Sequence, residues 1–205
     1  MRHGNRRLDL LLALGAASFI LLPWYRLESG IWGLGWLGDF PFNEQSAPGI
    51  LQLLGYGRLW LIGVVLFFGL GVAARFVADP TRRGSFFAAA GAAGLVCLCI
   101  QGLAVGFSGW TWAISETLFG ALSDGQPSMG AGAVCMAVVF VLMFAFGLVE
   151  RGVMKGDAFV VGSISLLVFL VFVFVFYPIG SMLVAAVQDF DGSFKPDGFI
   201  RNMQD

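Results

Sequence analysis

The chain has 205 residues, of which 58% are hydrophobic and 12% charged, with a net charge of −1 and a mean hydropathy of +0.85. A typical soluble domain is about 25% charged, so this composition argues against a water-soluble fold. The sequence contains no basic patch of the kind that binds nucleic acid. We therefore predict an all-α integral membrane protein whose main partner is the lipid bilayer.

The N-terminus begins with the basic leader MRHGNRR and continues into an apolar run at residues 10–25. A secretory signal also begins in this way, but no small-x-small cleavage site follows the run. Trp24 and Tyr25 at its end are typical of the aromatic belt at a lipid–water interface. We predict an uncleaved first span after a disordered leader that contains the only histidine, His3.

Residues 26–58 are rich in Gly, Trp and Phe, which predicts an external segment lying at the interface. The stretch after Pro48 is either a short interfacial helix or an extension of the next span. The second span is predicted at residues 59–76. It contains GLGVAA, a formal match to the dinucleotide-binding fingerprint, which requires a strand–turn–helix context. Within a membrane helix we interpret these small residues as a helix-packing surface.

A basic turn at residues 75–83 precedes a third span, predicted at residues 86–107. Small residues within this span favour close helix packing. They include Gly91, Gly94 and the G-x-x-x-G pair Gly102 and Gly106.

The following segment, residues 108–128, contains two Trp with Glu116 and Asp124, and predicts an external amphipathic segment at the headgroup level. A fourth span is predicted at residues 130–149. The longest uncharged run, residues 158–187, is predicted to form the fifth span, because such a helix reaches about 45 Å against about 30 Å of hydrocarbon. Pro178 is expected to distort this helix in the preceding turn, unless it is simply a tolerated membrane proline.

The distribution of Lys and Arg predicts the orientation, since cytoplasmic loops carry the excess of positive charge. Five predicted spans place eight basic residues on one side and four on the other. The N-terminus is therefore predicted to be cytoplasmic and the C-terminus periplasmic. The richer side holds Arg2, Arg6, Arg7, Arg75, Arg82, Arg83, Arg151 and Lys155.

None of the predicted spans has an ionisable residue in its middle, where a proton relay or ion site would place one. Glu116 is the nearest, and we expect it to be exposed. Cys97, Cys99 and Cys135 lie in apolar runs and are interpreted as small hydrophobic residues. We predict no catalytic, cofactor-binding or metal-binding residues, and no enzymatic activity.

The end of the chain resembles the first core helix of type I, binding-protein-dependent ABC importer permeases. Among them it is most similar to the ferric-iron branch, in which additional spans precede the core. The shared pattern is an apolar run with a Tyr-Pro step, a Gln-Asp turn and an Asp-Gly-x-Phe external segment. The matching residues are Phe176, Tyr177, Pro178, Gln188, Asp189, Gly192, Phe194 and Phe199.

This resemblance implies that residues 1–157 form a four-helix transmembrane extension, and that residues 158–205 form the first core helix and the start of an external loop in a longer permease. It also implies a bacterial inner-membrane location, an ATPase subunit and an external substrate-binding protein as partners, and ferric iron as substrate. The Glu-Ala-Ala…Gly loop that docks the ATPase in this family does not occur here. A free-standing five-span accessory or assembly protein is therefore the alternative. A membrane-embedded enzyme that uses Glu116 is a more distant one.

Overall fold

The computed structural model describes residues 2–27, 35–106, 109–110, 113–120, 122, 129–176, 178–180 and 182. These residues are helical apart from short turns and one two-residue antiparallel pair, β1 (Val105–Gly106) and β2 (Gly109–Trp110). The predicted all-α class is confirmed. The α-helices are α1 (Arg2–Leu21), α2 (Gly49–Leu54), α3 (Ile62–Ala74), α4 (Pro80–Ala104), α5 (Ala113–Phe119), α6 (Ala131–Glu150) and α7 (Ala158–Val171).

In the described part of the chain, three helices are long and apolar enough to cross a membrane: Pro80–Ala104, Ala131–Glu150 and Ala158–Gly180. They correspond to the predicted third, fourth and fifth spans and indicate a membrane-embedded protein. The apolar helix at Leu59–Ala74 matches the position of the predicted second span but is shorter. From the rise of a helix it reaches about 24 Å, which is less than the hydrocarbon thickness of about 30 Å.

The chain divides into two compact units, Met1–Ser165 and Leu166–Asp205. In the first unit, α6 packs against both α1 and α4, and α3 packs on α4. Gly15 of α1 lies against the ring of Phe68, which brings α1 next to α3 as well. These four helices thus form a bundle, with core side chains that include Phe87, Leu98, Met136, Val139, Phe140 and Met143.

Glycines bring the backbones of α4 and α6 into direct contact. A Cβ atom added at Gly91 would lie 2.5 Å from the amide nitrogen of Phe144, and one at Gly84 would lie 2.8 Å from the carbonyl oxygen of Gly147. Small residues permit this close approach of membrane helices. The packing role predicted for Gly91 is confirmed, and Gly94 likewise lies against the ring of Phe140.

The role predicted for the pair Gly102 and Gly106 is wrong. Helix α4 ends at Ala104, and Gly106 already belongs to β1. The two glycines therefore do not share a helix face. By contrast, GLGVAA lies within α3, as interpreted from the sequence, and its Gly71 contacts the side chain of Met143 in α6.

One end of the bundle is fastened by ion pairs. Arg75 after α3 donates to Asp9 of α1 at 2.8 Å, and Arg83 of α4 donates to both carboxylate oxygens of Glu150 in α6. The predicted basic turn is shorter than expected, because Asp79 caps α4 and accepts a hydrogen bond from the amide of its second residue at 3.2 Å. Arg75 and Arg83, which were assigned to the same side of the membrane, thus lie at the same end of the bundle.

The helix at the position of the first predicted span covers different residues, and it is not among the three described helices that are long and apolar enough to cross a membrane. Helix α1 already begins at Arg2 and ends at Leu21, so the leader with His3 is helical rather than disordered. Trp24 and Tyr25 are 2% and 6% exposed, so they face the protein interior rather than lipid. Their burial follows from the backbone pairing of residues 23–25, described below.

The second unit begins within α7. The helix widens into a π-turn at Phe172–Phe176 and resumes as a helix at residues 178–180. Pro178 has no amide hydrogen for the i→i−4 bond, and π-turns are one recognised response to an interrupted helix ladder. The distortion lies in the turn where the sequence predicted it. Tyr177 and the matching residues of the permease resemblance from Gln188 onward lie outside the described residues.

Candidate functional site

Residues 23–25 lie at the end of the bundle opposite the ion pairs, and their backbone pairs with two other segments of the chain. The amide of Trp24 donates to the carbonyl of Ala47 at 3.2 Å, and the carbonyl of Trp24 accepts from the amide of Gly130 at 2.8 Å. Gly130 lies so close to the carbonyl of Tyr25 that a Cβ atom would overlap it. This pairing on both sides fixes Tyr25 in the interior.

Arg58 is a buried cation at the same end. It is 4% exposed, although it was expected at the end of an external segment lying at the interface. Its guanidinium donates to the carboxylate of Glu44 at 2.7 Å and lies 4.4 Å from the centre of the Tyr25 ring. A desolvated cation–π contact contributes about 2 kcal/mol or more. Arg58 is therefore bound both to the loop that carries Glu44 and to the segment after α1.

The short helix α2 holds the loop that carries Glu44. Gln52 is fully buried and donates through Nε2 to the carbonyls of Glu44 at 2.7 Å and Ala47 at 3.2 Å. Its backbone carbonyl accepts from the amide of Arg58 at 3.0 Å. The sequence left open a short helix or an extended span after Pro48, and the short helix is what forms.

Tyr25 connects this polar cluster to the aromatic residues beyond it. Burial raises the pKa of its hydroxyl above the usual value, and the nearby positive charge of Arg58 opposes that rise only in part. The indole nitrogen of Trp60 donates to the Tyr25 hydroxyl oxygen at 3.1 Å. The orientation of Trp60 is thereby set from the interior.

Three aromatic rings meet at the end of α3 and α4 that lies near Tyr25. Trp60 and Trp110 lie edge to face with centroids 5.0 Å apart, and Trp110 stacks on Phe119 at 5.7 Å. The indole nitrogen of Trp110 donates to the carbonyl of Gly120 at 2.7 Å. We call Trp60, Trp110 and Phe119 the aromatic cap.

Below the aromatic cap lies a cleft of about 420 Å³ between α3 and α4. The residues of its wall on α4 recur every three or four positions, which is one helix face. Gln101 is tied down, because its Nε2 donates to the backbone carbonyl of Trp60 at 2.8 Å. The cleft is lined by Trp60, Phe67, Ala93, Val96, Cys97, Ile100, Gln101, Ala104, Trp110, Ser115 and Phe119.

The chemistry of this cleft is that of an apolar binding site. None of the described residues that line it is charged, and mostly apolar walls with a few oriented polar groups are typical of ligand pockets. Among the described residues, no group of three or more His, Cys, Asp or Glu side chains lies close enough to hold a metal ion. The arrangement offers an apolar binding surface.

The residues that the sequence singled out lie elsewhere or play other parts. Glu116 is on α5 with an exposed side chain, as predicted. The three cysteines are free, and only Cys97 among them lines the cleft. Sequence reasoning missed Arg58, because its partners Glu44 and Tyr25 are distant in the sequence and no local pattern joins them.

We compared the chain with protein families, with curated proteins and with solved structures, and none of them matches it.

Proposed function

We propose that the chain is a five-span protein of the bacterial inner membrane that supplies the N-terminal scaffold and the first core helix of a binding-protein-dependent ABC importer permease. The observation that carries this proposal is the helix at the end of the described chain. It combines a long apolar span with a π-turn at Phe172–Phe176, immediately before the Tyr-Pro step of the resemblance. Ferric iron is the substrate class that the resemblance suggests.

The scaffold role is supported by the packing of the first unit. The contact between α4 and α6 is made by glycine and backbone atoms, and the described lining of the cleft between α3 and α4 carries no charge. A closely packed bundle in which the helices long and apolar enough to cross a membrane have no ionisable residue in their middle suits a support better than an ion pathway. We propose no catalytic residue in the chain.

The proposed orientation has the N-terminus and the ion-pair end in the cytoplasm. Alkaline phosphatase fused within residues 38–45 or 120–128 should be active, because these segments would lie in the periplasm. Fluorescent protein fused at residues 77–79 or 152–156 should fluoresce, because it folds in the cytoplasm. The reverse pattern would overturn the orientation, and phosphatase activity on both sides of α3 would overturn the number of spans.

The permease role is tested in the organism that encodes the chain. The intact gene product, tagged at its N-terminus, should co-purify with an ATP-binding-cassette subunit, and deletion of the gene should abolish binding-protein-dependent uptake of labelled ferric iron. Normal uptake of ferric iron after deletion would contradict the proposal that ferric iron is the substrate. Failure to recover an ATPase subunit after mild cross-linking would contradict the permease role.

An accessory or assembly protein is the second candidate function. The packing of Met1–Ser165 as a compact unit favours it, since such a unit needs no further core helices. In that case the tagged chain should recover a membrane complex without an ATPase subunit, and its deletion should lower the amount of that complex rather than the uptake of one substrate.

A further inference from the structure

The cleft between α3 and α4 opens on the side of α4 that is not covered by α6. Val96 and Ile100 line the cleft and are 57% and 49% exposed. Both lie within a helix long and apolar enough to cross a membrane. The surroundings of such a surface are hydrocarbon chains rather than water.

We infer that this cleft binds one acyl chain of a bilayer phospholipid, in the leaflet on the Trp60 side. The inference is independent of the importer role, because it rests on the cleft alone. The cleft has a volume of about 420 Å³. That volume is typical of pockets that hold small ligands.

The shape of the cleft favours a chain over a helix of another protein. Its lining runs from Trp60 to Phe67 on the α3 side, about 11 Å, and from Ala104 to Ala93 on α4, about 17 Å along the helix axis. Dividing the volume by these two lengths leaves a cleft roughly 6–7 Å across. A helix with its side chains is about 10–12 Å wide, so it would not enter.

Three of the polar side chains that line the cleft donate to partners within the protein. The indole nitrogens of Trp60 and Trp110 donate to Tyr25 and to the carbonyl of Gly120, and the side-chain amide of Gln101 donates to the backbone of Trp60. A polar ligand would find these donors already engaged, and its own groups would lose their hydration without compensation. An uncharged hydrocarbon chain incurs no such cost.

The aromatic cap distinguishes this cleft from the general lipid-facing surface. The stacked pair Trp110 and Phe119 and the edge-on ring of Trp60 cover its end near the interface. Tryptophan at this depth keeps its ring against hydrocarbon and its polar edge toward hydrogen-bond partners. An acyl chain below the cap is therefore enclosed on more sides than a chain that lies against a smooth helix.

The test is native mass spectrometry of the full chain, released from detergent after bulk lipid has been removed. The wild type should retain one phospholipid per chain. Ala93→Trp places an indole in the cleft and should lose that lipid. Val134→Trp, at a position on α6 that is 54% exposed, should keep it. Equal retention by both variants, or no retained lipid in the wild type, would overturn the inference.

A second measurement avoids a variant that fails to fold. In liposomes of brominated phosphatidylcholine, bromine on the chain should quench Trp110 strongly, so Trp110→Phe should lower the quenched fraction of the total fluorescence. Trp24→Phe, at a position that is 2% exposed and therefore out of reach of bulk lipid, is the control and should not lower it. If both variants change the quenched fraction equally, the cleft holds no chain.

Discussion

On the face of α4 that meets α6, glycines at positions 84 and 91 let the two backbones touch, whereas on the face toward α3 the same helix lines a cleft of about 420 Å³. Both faces are apolar, so hydrophobicity does not separate them. Side-chain size does: glycines close the contact with α6, whereas on the α3 side a cleft remains below the large rings of the aromatic cap. In a membrane, where lipid is as apolar as the side chains, such packing differences determine which helices associate closely.

Among the substitutions that test this comparison, Gly91→Leu should lower stability most. Its side chain would meet the backbone of α6 at Phe140 and Phe144. Overpacking of this kind costs about 1–3 kcal/mol and occasionally more. Thermal unfolding in detergent, followed by tryptophan fluorescence, should show a clearly lower Tm. Gly69→Leu is the control, since no atom lies within 4 Å of the added Cβ. Equal Tm values for the two variants would remove the distinction between the faces.

Arg58→Ala tests how much the contacts of Arg58 beneath the aromatic cap contribute to stability. It removes the ion pair with Glu44 and the cation–π contact with Tyr25, and we expect a loss of about 2 kcal/mol in unfolding free energy. Glu44→Gln should cost less, because the Glu44 side chain is 55% exposed and exposed pairs contribute little. A larger effect of Glu44→Gln than of Arg58→Ala would contradict this ranking.

Deprotonation of Tyr25 should lower the stability of the folded protein at high pH. Burial raises its pKa in the folded protein above the unfolded value of about 10. The unfolded chain therefore releases this proton first, so the contribution is complete below about pH 10 and is lost as the pH rises through the folded pKa. Between pH 9 and pH 11 the Tm of the wild type should drop more than that of Tyr25→Phe. Parallel curves would mean that the hydroxyl is not buried as described.

Ala93→Leu should have the smallest effect, although it lies only two positions from Gly91. The added side chain enters the cleft rather than the α6 backbone. The unfolding free energy should therefore change by about 0.5 kcal/mol at most, as for an ordinary surface substitution. The measurement is the same thermal melt, run beside Gly91→Leu. A loss as large as that of Gly91→Leu would show that the cleft is closed in the folded protein.

Much of the fold could be predicted because span formation is a local property of the chain. The charge-free run ending near Glu150 predicted α6 almost to the residue, and Pro178 predicted the position of the π-turn. The predicted helix boundaries agreed less well with the structure where charged residues adjoin the apolar run. Helix α1 begins in the basic leader, and α4 begins at Pro80 because Asp79 caps it.

The candidate site could not be predicted, because its members come together only through contacts between distant segments. Trp24 and Tyr25 carry the signature of an interface belt, yet the pairing of residues 23–25 with residues 47–48 and 129–130 turns them inward. Arg58 resembles an ordinary solvated charge until Glu44 and the Tyr25 ring enclose it.

The sequence by itself determined a helical membrane protein and the positions of three long apolar helices, since hydropathy acts locally along the chain. The tertiary structure alone decided which charges are buried, which aromatic rings meet and where a cleft remains. Those features depend on how helices from different parts of the chain approach one another, and a one-dimensional pattern does not encode that approach.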